Sequence, residues 1–267
     1  MNVEIAFKSG REETRKLACD IAGRLRGWGA TAWMEGEAPP GEGVKPDVIV
    51  VLGGDGTILR AARQYAAQNL PLLGVNLGQL GFLAELNVGD LDEYLPRLLD
   101  GKYTVRDRLM LQVSVKPAGG TPVVHLGLND AVLRAETARV VEMLLRIDGG
   151  EMGVVRGDGF IVATPTGSTG YSLAAGGSIV WPEMEALLLT PINSFSLSSR
   201  PLVVPADMTV ELEITGKRNV GLTIDGQIET SLFPGDVIEV KHADVKVRMI
   251  RMKDRTWAEV LDARLRR

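Results

Sequence analysis

The chain has 267 residues, 45% hydrophobic and 24% charged, the balance of a folded globular protein with room for one large or two ordinary domains. A formal net charge of −4 argues against nucleic-acid binding through broad phosphate neutralisation, and a single cysteine, Cys19, excludes an intrachain disulfide and a Cys-x-x-Cys metal site. The opening MNVEIAFKSGREE has acids where a secretory signal needs an apolar core. The charge-free run 159–182 is too rich in Gly, Pro, Ser and Thr to span a membrane, so a cytoplasmic protein is expected.

In chain order, VEIAF (3–7) reads as a strand, 12–26 as a helix with Cys19 as a small buried hydrophobe, and ATAWM (30–34) as a second strand. DVIVVL (47–52) is a near-continuous apolar run, as expected of a parallel strand buried on both faces. In the helix that follows, Thr57 is a candidate cap. Ile58, Ala61, Ala62 and Tyr65 form its apolar stripe, and Arg60, Arg63 and Gln64 the polar one. PLLGV (71–75) is a further strand, and 91–99 a short helix closed by Gly101. This alternation predicts a Rossmann-like α/β domain with a mostly parallel sheet over residues 1–100, completed by the C-terminal tail 247–267.

After residue 102 the rhythm changes. LMLQVSV (109–115), VVEMLLRID (140–148), GFIVATP (159–165), PLVVP (201–205), TVELEI (209–214), VGLTIDG (220–226) and DVIEVKHADVKVRMI (236–250) are strand-like runs between turn signals. Segments 171–175 and 183–189 are the expected helical exceptions. A β-rich second domain is predicted over residues 101–246.

Three glycine-rich stretches follow predicted strands. GGDGT (53–57) places one carboxylate, Asp55, among glycines at a strand mouth. It reads either as a strand-to-helix turn with Asp55 assisting the cap, or as a phosphate-facing site. GVNLGQLGFLAEL (74–86) repeats the pattern, with Phe82 and Leu83 expected to turn toward the core. ATPTGSTGYSLAAGG (163–177) is dense in hydroxyls, free of charge and carries one aromatic, Tyr171, a composition suited to a nucleoside. LND (128–130) sets an amide beside a carboxylate, Arg139 and Arg156 are candidate anion binders, and TIDGQ (223–227) has hairpin-turn chemistry in Asp225-Gly226.

Together with RGDGFIVATPTGSTGYSLAAGG (156–177), SSRPLVVP (198–205) and DGQ (225–227), these stretches resemble the NAD kinase family, in the family's order and over most of the chain. Gly170 stands where the family usually has Ala, and Asp130 where Glu is common. The resemblance implies transfer of the γ-phosphoryl group of ATP, or polyphosphate, to the 2′-hydroxyl of the adenosine ribose of NAD. A divalent cation, Mg²⁺, would be carried with the ATP. It implies NAD and ATP as partners, no nucleic acid or membrane, a homodimer or homotetramer, and a site in the cleft between the domains.

Carried over residue by residue, Asp55 accepts the hydroxyl proton, and Gly54 and Gly56 keep the phosphate approach open, with Arg60 among the nucleotide-binding residues. Asn129 and Asp130 hold ribose hydroxyls or adenine edges, and Asp158 the nicotinamide carboxamide. Thr169, Gly170, Tyr171, Ser172, Leu173 and Ala174 line the NAD pocket, Gln227 closes it, and Arg139 and Arg156 supply basic positions. Two alternatives stand beside this reading: a lipid or sphingoid kinase with the same GGDGT turn, and a non-catalytic nucleotide-binding regulator.

Overall fold

The computed structural model describes residues 1–8, 10, 12–78, 81–137, 139–195 and 200–265. Gln79 and Leu80 of the second glycine-rich stretch, and Ser198 and Ser199 of SSRPLVVP, lie outside the described residues. The chain divides into two units, Met1–Asp107 with Val247–Arg267, and Arg108–Lys246.

The first unit begins with β1 (Asn2–Phe7), α1 (Glu12–Gly27), β2 (Thr31–Met34), β3 (Val48–Leu52) and α2 (Asp55–Tyr65). It continues with β4 (Pro71–Asn76), β5 (Leu86–Asn87) and α3 (Leu91–Leu99). β2, β1, β3 and β4 pair in parallel in that order, and every residue of β3 and β4 is buried, as their unbroken apolar sequences demand. α1 buries Thr14, Ala18, Ile21, Ala22 and Leu25, a stripe at three- and four-residue spacing that joins the core of this sheet. It carries Glu12 and Glu13 in its first turn and Arg24 and Arg26 in its last, matching the helix dipole.

The second unit is antiparallel. Its strands are β6 (Thr104–Lys116), β7 (Val123–Gly127), β8 (Asp130–Ala135), β9 (Val141–Ile147), β10 (Gly150–Gly157) and β11 (Gly159–Ala163). A short helix, α4 (Tyr171–Ala174), precedes β12 (Ala186–Ile192), β13 (Leu202–Pro205), β14 (Val210–Ile214), β15 (Val220–Ile224), β16 (Ile228–Leu232) and β17 (Val237–Arg251). Six of these form one sheet in the order β13-β12-β11-β8-β15-β16. Residues of one face of this sheet, including Leu133, Phe160, Leu187 and Leu222, meet Leu212 of β14 and Val240 of β17, which belong to a second sheet, in one apolar core.

The last residues of β17 return to the first unit, where Arg248 and Met249 pair in parallel with Pro71 and Leu72 of β4. α5 (Trp257–Leu265) ends the described chain. Its start carries a reciprocal cap: Thr256 Oγ1 accepts the Glu259 N–H at 3.3 Å, and the Glu259 carboxylate accepts the Thr256 N–H at 2.7 Å. The architecture is thus an α/β unit with a mostly parallel sheet and a second unit rich in antiparallel β structure. Among the described residues no helix is long and apolar enough to cross a membrane.

Three local expectations are corrected. The segment expected to be helical at 183–189 runs into β12, because Leu187, Leu188 and Leu189 are buried between β11 on one side and β13 on the other. A run of three leucines suits a helix or a doubly covered strand, and the sheet partners decide. Thr57 does not cap α2: the helix starts at Asp55 after Gly54, with no side-chain cap, and Thr57 is buried. Cys19 lies on the solvent side of α1, exposed, with its Sγ 3.6 Å from the Met34 sulfur.

Candidate active site

In the first unit the site is built at the carboxyl end of β3. The Gly53 N–H donates to the Val75 carbonyl at 2.9 Å, tying the strand-to-helix turn to β4. Asp55 is the first residue of α2, half-buried between exposed Gly54 and Gly56. Its carboxylate reaches across to the second glycine-rich stretch. Oδ2 accepts the Phe82 N–H at 2.9 Å and Oδ1 the Leu83 N–H at 3.2 Å. Two N–H donors fix the rotamer and leave the remaining lone pairs for an incoming donor such as a hydroxyl.

Gly81 explains itself here, since a Cβ on it would fall inside the Asp55 carboxylate. Phe82 and Leu83 stay half-buried instead of entering the core, and their backbone N–H groups are engaged at the site. Buried Asn76 shapes the start of this loop, donating from its side-chain amide to the Gly78 carbonyl at 2.9 Å and accepting the Gly78 N–H at 3.3 Å.

The structure gives Arg60 another task than nucleotide binding. Its guanidinium forms a two-pronged pair with Glu35 at 2.6 and 2.7 Å and donates to the Phe7 carbonyl at 3.1 Å. It ties α2 to the ends of β1 and β2. The pairing holds the Glu35 carboxyl below its ordinary range.

In the second unit the predicted residues gather at one end of the six-stranded sheet. Register places Asp130 opposite Ala163, and Ala131 opposite Ile224, so LND, the hydroxyl-rich loop and the Asp225 turn leave adjacent strand ends. Asp225 and Gly226 both take positive φ, 52° and 61°, as a tight hairpin requires. The Asp225 carboxylate crosses to LND and accepts the N–H groups of Leu128 at 3.0 Å, Asn129 at 2.7 Å and Asp130 at 3.3 Å.

Thr164 closes the ring: its Oγ1 donates to the Leu128 carbonyl at 2.6 Å and accepts the Gly167 N–H at 3.0 Å. A Cβ on Gly167 would collide with the Asn129 carbonyl, so only glycine lets the two loops touch. A Cβ on Gly170 would lie 3.2 Å from the Gly167 carbonyl, 3.7 Å from Asn129 Nδ2 and 3.8 Å from Asp130 Oδ2. Gly170, half-buried, therefore widens the space above Asn129 and Asp130. Asp130 is 6% exposed, and burial together with the nearby Asp225 carboxylate pushes its carboxyl up to about 7.

Around this pair, Thr169 and Leu173 are half-buried, and Tyr171, Ala174 and Gln227 exposed. Ser172 does not line a pocket. It is fully buried, with its hydroxyl 2.9 Å from that of Thr190, and holds the loop from inside. Asp158, Arg156 and Arg139 are not brought to this cluster. Asp158 precedes β11, and six strand rises separate it from Thr164, roughly 20 Å. It accepts the Asn193 side-chain amide at 2.8 Å and borders a cavity of about 590 Å³ with Arg134, Ala135, Glu136 and Thr137. Arg156 is ion-paired with Glu142 at 3.0 Å, and Arg139 lies exposed in the turn after β8.

Comparison with known proteins decides the family. Residues 15–103 match the model of the ATP-NAD kinase N-terminal domain, and residues 128–252 that of the ATP-NAD kinase C-terminal domain. The NAD kinase of Citrifermentans bemidjiense is 41% identical over 82% of this chain and 77% of its own. The chain belongs to the NAD kinase family. The solved yeast NADH kinase complexed with NADH superposes with a TM-score of 0.88 at 28% identity, covering 99% of this chain and 87% of that one. An NAD kinase from Archaeoglobus fulgidus in complex with ATP gives a TM-score of 0.77 at 27% identity, over 100% and 99% of the two chains.

In this NAD kinase family chain, sequence reading passed over the side chains that shape the site from behind. Asp225 reads as an ordinary hairpin residue, and Thr164 as one hydroxyl among many. The Phe82 and Leu83 donors are backbone groups with no residue signature at all. Among the described residues, no three His, Cys, Asp or Glu side chains converge as a metal site.

Proposed function

We propose that this chain, a phosphotransferase of the NAD kinase family that acts on NAD with ATP, works through Asp55 as the acceptor of the substrate hydroxyl proton. The observation that carries the reading is the Asp55 carboxylate itself, fixed by two backbone N–H groups between two exposed glycines at the mouth of a buried parallel strand. The 2′-oxygen of the adenosine ribose of NAD attacks the γ-phosphorus of ATP. The new O–P bond forms as the bond to the β–γ bridging oxygen breaks, ADP leaves, and the hydroxyl proton passes to Asp55. In a loose phosphoryl-transfer transition state the nucleophile's orientation matters more than the strength of its base, which suits an aspartate.

On the same reading, Asn129 and Asp130 hold nucleoside hydroxyls or base edges, while Thr169, Gly170, Tyr171, Leu173, Ala174 and Gln227 surround them. On this reading a divalent cation, Mg²⁺, arrives on the phosphate donor as part of the substrate. A cytoplasmic setting and a homodimer or homotetramer belong to the same proposal. Exposed Met152 and Val154 on β10, and Leu202 and Val203 on β13, support self-association at sheet edges. A lipid or sphingoid acceptor is disfavoured by the hydroxyl-rich lining.

Incubation with ATP, magnesium and NAD, coupled to an NADP-specific dehydrogenase, tests the reading. NADP is the expected product, and Asp55→Asn is expected to keep NAD affinity within a few-fold while cutting kcat by at least ~100-fold. A variant within a few-fold of wild type overturns the role given to Asp55.

A further inference from the structure

The loop that holds Asp55 is itself held from the far end of the chain. Arg264, on the last turn of α5, donates from its guanidinium to the Gly81 carbonyl at 3.0 Å, and its Cζ lies 6.0 Å from the centroid of the Phe82 ring. Gly81 and Phe82 are the residues immediately before and at the first of the two N–H donors to Asp55. A peptide unit gripped at the Gly81 carbonyl has its N–H, that of Phe82, on the opposite side. The rigid peptide plane thus transmits the grip directly to the carboxylate. The Arg264 guanidinium against the Phe82 ring adds a cation–π contact that fixes the side chain as well.

The segment leading into α5 is anchored to the same loop, so that Arg264 is delivered to it accurately. Glu85, 3% exposed, accepts the N–H groups of Met252 at 2.9 Å and Lys253 at 2.7 Å and pairs with Arg251 Nε at 3.0 Å. Lys253 pairs in turn with Asp90 at 2.6 Å. α5 buries only Val260 fully, so apolar burial alone does not explain where its last turn lies.

We propose that Arg264 is a positioning residue for Asp55. By holding the Gly81 carbonyl and the Phe82 ring it sets the Phe82 N–H, one of the two backbone donors that fix the carboxylate's rotamer for the substrate hydroxyl. The inference rests on the reading of Asp55 as proton acceptor. Without Arg264 the loop still contains the donors, but the carboxylate samples orientations that do not meet the hydroxyl, a loss in kcat with nucleotide binding retained.

The test is a double-mutant cycle on the full-length chain, with steady-state kinetics for NAD and ATP. Arg264→Ala is expected to lower kcat about 10-fold with both KM values within 2-fold, and Arg264→Lys to restore part of the rate, since an ammonium can still donate to the Gly81 carbonyl. In an Asp55→Asn background Arg264→Ala is expected to change nothing further, because the two residues act as one unit. Should Arg264→Ala fold poorly, Arg264→Lys and Phe82→Leu carry the same cycle.

Equal losses from Arg264→Ala in both backgrounds, or a loss confined to KM, overturn the positioning role. If Asp55→Asn retains full kcat, the reading of Asp55 fails. If Asp55→Asn loses kcat but Arg264→Ala does not, only the present inference fails.

Discussion

At Asp130, burial and the neighbouring Asp225 carboxylate act in the same direction and push the carboxyl up to about 7 in the folded chain, against roughly 3.9 in an unfolded one. Between those values the folded state binds the extra proton, so the contribution of this group to stability is largest at acid pH and is lost as pH rises toward 7, levelling off above it. Asp130→Asn removes the titrating group. Urea midpoints measured from pH 5 to 8 are expected to fall with pH in the wild type and to fall less steeply in the variant, with the gap between them widening up to about pH 7. Parallel curves would show that Asp130 ionises like an exposed carboxylate. Residue identities such as Asp55 and Asp130 were legible as chemistry because a carboxylate among glycines or beside an amide is unusual. Their environments were not, since both the donors to Asp55 and the burial of Asp130 come from segments distant in sequence.

At the scale of elements, the loop 128–130 is a consequence of three strand ends meeting, and Asp225 is the post that holds it. Asp225→Ala leaves three N–H groups without that acceptor, the Leu128 and Asp130 bonds being buried. With each orphaned buried donor costing about 1–3 kcal/mol, a loss on the order of 3 kcal/mol in urea unfolding is expected, with NAD affinity falling alongside it. Isothermal titration with NAD beside the unfolding curves checks both, and a variant with unchanged stability and affinity would remove Asp225 from the site. Elements with one dominant period were legible: β3 and β4 as unbroken apolar runs, α1 as a stripe at helical spacing, and 91–99 as a short helix ended by Gly101 at φ 71°. β12 was not, because a leucine run carries no period of its own and only its two sheet neighbours make it a strand.

At the scale of the whole molecule, the last twenty-one residues belong to the unit that the first 107 begin, and Glu85 is the joint. Glu85→Ala strips a mostly buried Arg251 of its partner and frees two backbone donors, so a loss of about 3 kcal/mol is expected in urea unfolding followed by tryptophan fluorescence. An unchanged midpoint would mean that the chain's end is held by strand pairing alone. The sequence by itself determined the two kinds of architecture, the family and the identity of the candidate residues, because periodicity and unusual local composition are written along the chain. Only the tertiary structure decided that Arg60 is a brace, that Ser172 points inward and that Asp158 lies at the opposite end of the sheet from Asp130. It alone decided that Asp55 answers to Phe82 and Leu83, and that Arg264 grips the Gly81 carbonyl next to those donors. Those are hydrogen bonds between groups up to 183 residues apart, several of them backbone, and a contact made by a peptide N–H leaves no mark on residue type.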